Sequence, residues 1–185
     1  SITCRTAGFN SVDIGSLSEA TLAMMMFLMF FGASPGSCGG GVKTTTLAVL
    51  AVFTVSRIYH KKRVNMFHKS IPQETVTRSI SLIVLSLAII GLVLFVVLIG
   101  NASDAPGVQD HHNPFLAYLF ETVSAFGTVG LSMGVTADLN GFGKIMIMLL
   151  MLIGRLGVLS FSYIIVGAAG VLRGKVYSEE NVMIG

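Results

Sequence analysis

From Leu17 to Val55 the chain stays apolar for far longer than one helix needs to cross a bilayer, yet the middle of that run reads Gly32-Ala33-Ser34-Pro35-Gly36-Ser37-Cys38-Gly39-Gly40-Gly41. A bilayer core is about 30 Å thick, and a helix crosses it with roughly 20 residues. Glycine costs about 1 kcal/mol in a helix interior and proline about 3 kcal/mol, so five glycines, a proline and two serines in one short stretch forbid regular helix there. Non-helical backbone at membrane depth survives only where protein buries it or where it lines a cavity. The chain is therefore expected to fold around a pathway, with Val42-Lys43-Thr44-Thr45-Thr46 restarting a helix beyond the break.

Two more apolar runs reach spanning length: Ile80 to Ile99, and Phe142 to Leu172 with Arg155 in its middle. Pro114 to Phe126 is too short to span and fits a re-entrant half-helix that enters and leaves on one side. Only 11% of the 185 residues are charged, against about a quarter in ordinary soluble domains. Where those charges sit sets the topology. Arg57, Lys61, Lys62, Arg63, Lys69 and Arg78 crowd between the first two runs, whereas Asn101 to Asn113 holds Asp104 and Asp110 and no Lys or Arg. By the positive-inside rule the basic linker is cytoplasmic, the acidic loop lies outside, and the tail with Arg173 and Lys175 falls inside. A basic stretch placed between two membrane runs is topological, so no nucleic-acid partner is expected.

Sliding the chain against itself by 122 residues superposes Thr6 on Thr128, Gly8 on Gly130, Leu17 on Leu139, Met24 on Met146, Met26 on Met148, Leu28 on Leu150, Met29 on Met151 and Gly32 on Gly154, with no gap. Apolar composition accounts for some of the Met and Leu matches. It does not account for a Thr-x-Gly at one end and a glycine at the other. The repeating unit reads as half-helix, extended Thr-x-Gly strand, outer loop and spanning helix, and repeats of this kind hold their ion or substrate site at the repeat interface. Two units alone leave a pathway open to lipid, so further copies are expected upstream of Ser1, which itself opens only a few residues before a motif. The expected organisation is residues 1–60 as the end of one pore unit, 61–78 as the basic linker, 79–172 as a complete unit and 173–185 as a cytoplasmic tail.

Thr6-Ala7-Gly8-Phe9-Asn10 and Thr128-Val129-Gly130-Leu131-Ser132 are the candidate ion-binding segments. A potassium ion sheds water only where several oxygens replace it, as rings of backbone carbonyls do. Glycine at the third position tolerates the positive φ that aims successive carbonyls at one axis, while the Thr, Phe and Leu side chains face away and brace the strand. Asn113-Pro114 caps and starts the half-helix, whose C-terminal end carries partial negative charge toward the pathway. Glu121 within it is read as bonding backbone donors behind the strand rather than binding ions. Arg155 matches Ala33 in the repeat, and an arginine at midspan costs at least about 2.5 kcal/mol, so it is expected to face inward and bond the free carbonyls of the glycine-rich segment. Opposing cation passage and tying two helices together both remain open as its role.

Other motifs fall away. Gly36 to Thr44 resembles a phosphate-binding loop, but Val42 stands between Gly41 and Lys43 and breaks the spacing. Cys4 and Cys38 lack any metal-cage spacing and read as small packing residues, and His111-His112 read as a solvated turn.

Arg5 to Asn10, Gly36 to Thr46, Ser124 to Ser132 and Gly154-Arg155-Leu156-Gly157 together resemble the Trk/Ktr/HKT superfamily of cation transporters, nearest to the membrane subunit of the bacterial Ktr type. The resemblance covers essentially the whole chain. It implies an all-α integral membrane protein with pseudo-fourfold repeats of spanning helix, re-entrant pore helix, filter strand and spanning helix. It implies potassium as the transported ion with sodium a candidate second ion, no bound cofactor, a homodimer, and a cytosolic ring of nucleotide-binding regulatory subunits. On that resemblance Gly8 and Gly130 are two of four filter glycines, Gly32 to Gly41 with Lys43 is an intramembrane gating loop, and Arg155 is its partner. Cys38 and Val158 depart from the family pattern, where Thr and Pro are expected. The competing reading is a non-conducting scaffold or regulatory subunit whose pore segments are vestigial.

Overall fold

The computed structural model describes residues 4, 7–10, 14–34, 36, 39–59, 65–66, 69–70, 73–101 and 114–157. Among the described residues the fold is helical but for one small antiparallel pairing, β1 (Asn65–Met66) with β2 (Lys69–Ser70), in the basic linker. Five α-helices carry the architecture: α1 (Glu19–Phe30), α2 (Thr44–Ile58), α3 (Gln73–Asn101), α4 (Pro114–Gly127) and α5 (Gly141–Leu156).

The long apolar run divides where its glycines begin. α1 starts after Ser18, with Glu19 placed favourably for the helix dipole in the first turn. It ends at Phe31, whose N–H still reaches the Phe27 carbonyl at 3.2 Å. α2 begins after Lys43 and closes on a basic last turn, where Arg57 lies over the Phe53 ring at 5.2 Å.

α3 is the one helix among the described residues long and apolar enough to cross a membrane, over Thr75–Gly100. α4 has 14 residues, which at 1.5 Å each come to roughly 21 Å, short of a bilayer core. α5 occupies the start of the third apolar run and its described part stops at Gly157, whose φ is +86°. The remainder of that run, 158–172, lies outside the described residues.

α4 sits at the centre, packed on α1, α3 and α5. Every residue from Phe120 to Gly127 is buried, the polar Glu121, Thr122 and Ser124 included. Phe126 stacks on Phe30 of α1 with ring centroids 5.8 Å apart. Asn140 ties the start of α5 to the end of α3, its Nδ2 donating to the Gly100 carbonyl at 2.7 Å. Away from α4 the surface is strongly apolar, with Val84, Leu87, Leu92 and Phe95 exposed on α3 and Phe142, Ile145, Met148 and Leu152 on α5. Such faces are stable against lipid or further protein rather than water.

Candidate functional site

The two Thr-x-Gly segments, far apart in sequence, meet backbone to backbone. Gly8 and Gly130 both take the left-handed conformation, with φ of +66° and +87°. A Cβ on Gly8 would stand 2.8 Å from the Val129 carbonyl oxygen and 3.5 Å from the Gly130 Cα; one on Gly130 would stand 3.7 Å from the Gly8 Cα. Glycine is thus required twice over at Gly8, by dihedral and by space, and at Gly130 by dihedral alone. Thr6 lies outside the described residues.

The segments differ in their bracing. Val129 and Leu131 are buried, Leu131 at 3% exposure. Phe9 is 83% exposed, so it does not brace its own strand within this chain. α4 stands directly ahead of Thr128. Ala7 and Asn10 are exposed as well, and Ser132 half-buried.

Behind the second segment sits Glu121, 7% exposed. Its carboxylate accepts from the Ser132 hydroxyl at 2.8 Å and from the Thr136 hydroxyl, while Ser132 Oγ accepts the Gly134 N–H at 3.0 Å. The donors to Glu121 are hydroxyls rather than main-chain amides. A buried carboxylate requires such partners, and here they fasten the end of the strand to the middle of α4. The Thr128 and Val129 amides close the end of α4 itself, donating to Ala125 and Ser124 carbonyls at 3.0 Å each. Thr136 carried no signal in the sequence beyond its place one turn after Ser132.

The glycine-rich segment is a loop pinched at its base. Ala33 and Lys43 form an isolated parallel bridge, and the Thr44 N–H donates to the Ala33 carbonyl at 2.9 Å. From there its exit leg is threaded into the site: Val42 N–H to the Phe30 carbonyl at 3.0 Å, Gly41 N–H to the Gly154 carbonyl at 3.4 Å, and Gly40 N–H to Thr128 Oγ1 at 3.2 Å. Gly40 and Val42 are buried, Gly39 and Gly41 half-buried, and Ser34, Gly36 and Lys43 exposed. Pro35, Ser37 and Cys38 lie outside the described residues, whereas Cys4 is a buried free thiol.

Arg155 is exposed in the last turn of α5, and its guanidinium makes no hydrogen bond to another described residue. The loop meets α5 one residue earlier, through the Gly154 main chain.

Glycines let these backbones pass so closely. A Cβ on Gly154 would fall 2.0 Å from the Phe126 carbonyl oxygen, and one on Gly32 would lie 3.3 Å from the Cys4 carbonyl oxygen. Cys4 and Phe126 are themselves related by the 122-residue offset, so the same close approach of a glycine to a carbonyl occurs twice. Gly127, which sequence reasoning passed over, admits α1: its Cβ would stand 2.9 Å from the Met29 carbonyl oxygen. Its place at the end of an otherwise bulky apolar helix was the available signal.

Comparison with known proteins gives one answer. A family profile described as "TrkH: Cation transport protein" matches residues 1–169. The chain is 37% identical over 185 residues to the "Ktr system potassium uptake protein B" of Vibrio alginolyticus, covering all of this chain and 38% of that protein. It is 40% identical over 162 residues to the protein of the same name from Bacillus subtilis, covering 88% of this chain and 34% of the relative. The "Potassium/sodium uptake protein NtpJ" of Enterococcus hirae is 37% identical over 187 residues, covering all of this chain and 40% of that protein. The chain therefore spans well under half the length of these relatives.

Proposed function

This chain belongs to the TrkH family of cation transport proteins, and from that premise we propose that it forms part of the ion pathway of a potassium uptake protein. The observation that carries the proposal is the meeting of Gly8 and Gly130, both left-handed and backbone to backbone. Main chain brought together in this way supplies carbonyl oxygens to a partly dehydrated cation, with no side-chain charge to hold it too tightly to leave.

In this reading Thr6 to Asn10 and Thr128 to Ser132 are two walls of a filter, and α4 is the re-entrant pore helix of the second. The C-terminal end of α4 leads into Thr128, which puts the negative end of its dipole beside the pathway. Further copies of the unit complete a pseudo-fourfold ring. The chain crosses the cell membrane several times with its basic linker and C-terminal tail in the cytoplasm. Gly32 to Gly41 is the gate, with Lys43 at its exit and Arg155 beside it. The relatives' printed names speak of potassium and, for one, of potassium and sodium; potassium is the proposed cargo and sodium its candidate competitor or co-ion. The word "system" in the Ktr names supports a regulatory partner, proposed as a cytosolic nucleotide-binding ring acting on a homodimer of the membrane subunit.

The test is uptake by the full-length protein in potassium-starved cells stripped of their own potassium systems. Restored growth at low potassium, with potassium preferred over sodium in competition, is the expected result. Folded, membrane-inserted protein that carries neither ion would overturn the proposal in favour of a scaffold.

A further inference from the structure

Thr128 stands at φ +52°, where a β-branched residue is a genuine outlier. Strain of that kind persists only when the surroundings hold it, and it collects at functional switches. Two of the holds on Thr128 are the amide bonds that it and Val129 make to the end of α4. The third comes from the glycine-rich loop: the Gly40 N–H donates to Thr128 Oγ1 at 3.2 Å across a separation of 88 residues. The fit leaves no room for a side chain on the loop. A Cβ on Gly40 would stand 2.7 Å from Thr128 Oγ1, 2.9 Å from its Cγ2 and 3.2 Å from the Gly127 carbonyl oxygen.

The Gly40 N–H occupies one lone pair of the Thr128 hydroxyl and turns that oxygen toward the loop; freed from it, the oxygen is one a cation can use. The Gly40 amide presents the positive end of its dipole to that oxygen. We infer that the loop's exit leg and the Thr128 hydroxyl form a single switch: with Gly40 seated the oxygen is withheld from the ion, and when the exit leg lifts away the oxygen is released to the pathway as the loop opens. Thr128 is then a positioning residue for the loop as well as part of the filter. The inference rests on the pore reading and adds how its two parts are linked.

Two substitutions act on the same contact from opposite sides. Gly40→Ala cannot seat against Thr128, so it frees the loop and leaves the oxygen in place. Thr128→Val frees the loop by removing the oxygen at nearly constant shape. Uptake of potassium by the full-length protein, per folded molecule, is measured for each. Both variants are expected to raise the maximal rate by about twofold or more, within the range that contacting residues show. The apparent KM for potassium separates them, falling in Gly40→Ala and rising in Thr128→Val. In a Thr128→Ala background, where Oγ1 and Cγ2 are gone, Gly40→Ala should change the rate by less than about twofold. A KM that rises in both, a Thr128→Val protein with raised KM and unchanged maximal rate, or strict additivity of Gly40→Ala with Thr128→Ala would each overturn the switch. Should Thr128→Val not fold, the KM of Gly40→Ala and its additivity with Thr128→Ala decide the matter. A wild type that carries no potassium overturns the pore reading itself; in a wild type that does carry it, these outcomes overturn only the switch.

Discussion

The two stretches related by the 122-residue offset, the proposed repeat copies, begin alike and end differently. In both, a glycine of the apolar run, Gly32 or Gly154, lies against the carbonyl two residues ahead of the Thr-x-Gly threonine. In the first copy α1 has already ended at Phe30 and the chain leaves as a loop. In the second α5 runs through Gly154 to Leu156. One glycine does not end a helix; the residues beyond it decide. After Gly32 come Pro35, Gly36 and three consecutive glycines, and after Gly154 come Arg155 and Leu156. The unbroken helix is also the more tightly packed, because a continuous helix leaves no slack to draw back from α4.

That difference is sharpest in Gly154→Ala against Gly32→Ala. A Cβ 2.0 Å from the Phe126 carbonyl oxygen is impossible without moving α4 and α5 apart, and both partners are backbone. Overpacking of this kind usually costs about 1–3 kcal/mol and sometimes more; Gly154→Ala is expected at or beyond the top of that range, the largest effect of any substitution considered. Gly32 has its nearest atom in the Leu28 carbonyl oxygen at 2.8 Å, just past the last residue of α1. Its alanine variant should therefore lose distinctly less. Folded yield and thermal unfolding of detergent-purified protein measure both. Equal losses would mean that the break after α1 gives the first copy no added tolerance.

Gly8 and Gly130, the proposed filter glycines, extend the comparison to ion selection. Gly8→Ser meets the left-handed dihedral and the Val129 carbonyl together, whereas Gly130→Ser meets the dihedral with its nearest neighbour at 3.7 Å. Both should weaken preference for potassium over sodium, because a Cβ turns the strand and misaims a carbonyl, and Gly8→Ser should do so more. Uptake affinities for the two ions are the measurement. Wild-type selectivity in both variants would remove these segments from the filter.

Much of this was legible in the sequence because it rests on local chemistry. The glycine-rich break separates α1 from α2 where its composition demanded, Pro114 opens α4 while its expected cap Asn113 lies outside the described residues, and the offset of 122 that aligns Gly32 with Gly154 aligns their packing partners as well. The illegible part depends on chain segments meeting in space. Nothing local says that Gly40 donates to Thr128, that Glu121 is held by Ser132 and Thr136 hydroxyls, or that Gly127 is where α1 crosses. Arg155 shows the same limit from the other side. Its depth in an apolar run argued for an inward, bonded guanidinium, but depth along a helix does not fix the face, and in this chain the side chain is exposed while the Gly154 carbonyl meets the loop.

That placement makes Arg155→Ala the mildest and most discriminating change between the copies, since Ala33 already occupies the corresponding position in the first. An exposed arginine without bonds to described residues should leave stability nearly unchanged, as surface substitutions usually do, within about 0.5 kcal/mol. Any effect on transport is then attributable to its charge or to a fastening made with the loop. A unit charge about 4 Å from a passing cation is worth about 1 kcal/mol in water, a factor of roughly five in an equilibrium constant, so Arg155→Ala should raise uptake per folded molecule by no more than about that. Arg155→Lys separates the two causes. It keeps the charge and loses the guanidinium's fork of donors, so uptake that stays at the wild-type level identifies the charge, and uptake that rises as in Arg155→Ala identifies the fastening. Unchanged uptake in well-folded Arg155→Ala protein, with regulation intact, would sink Arg155 as a gating residue and leave the loop held by its main-chain bonds to Phe30, Gly154 and Thr128.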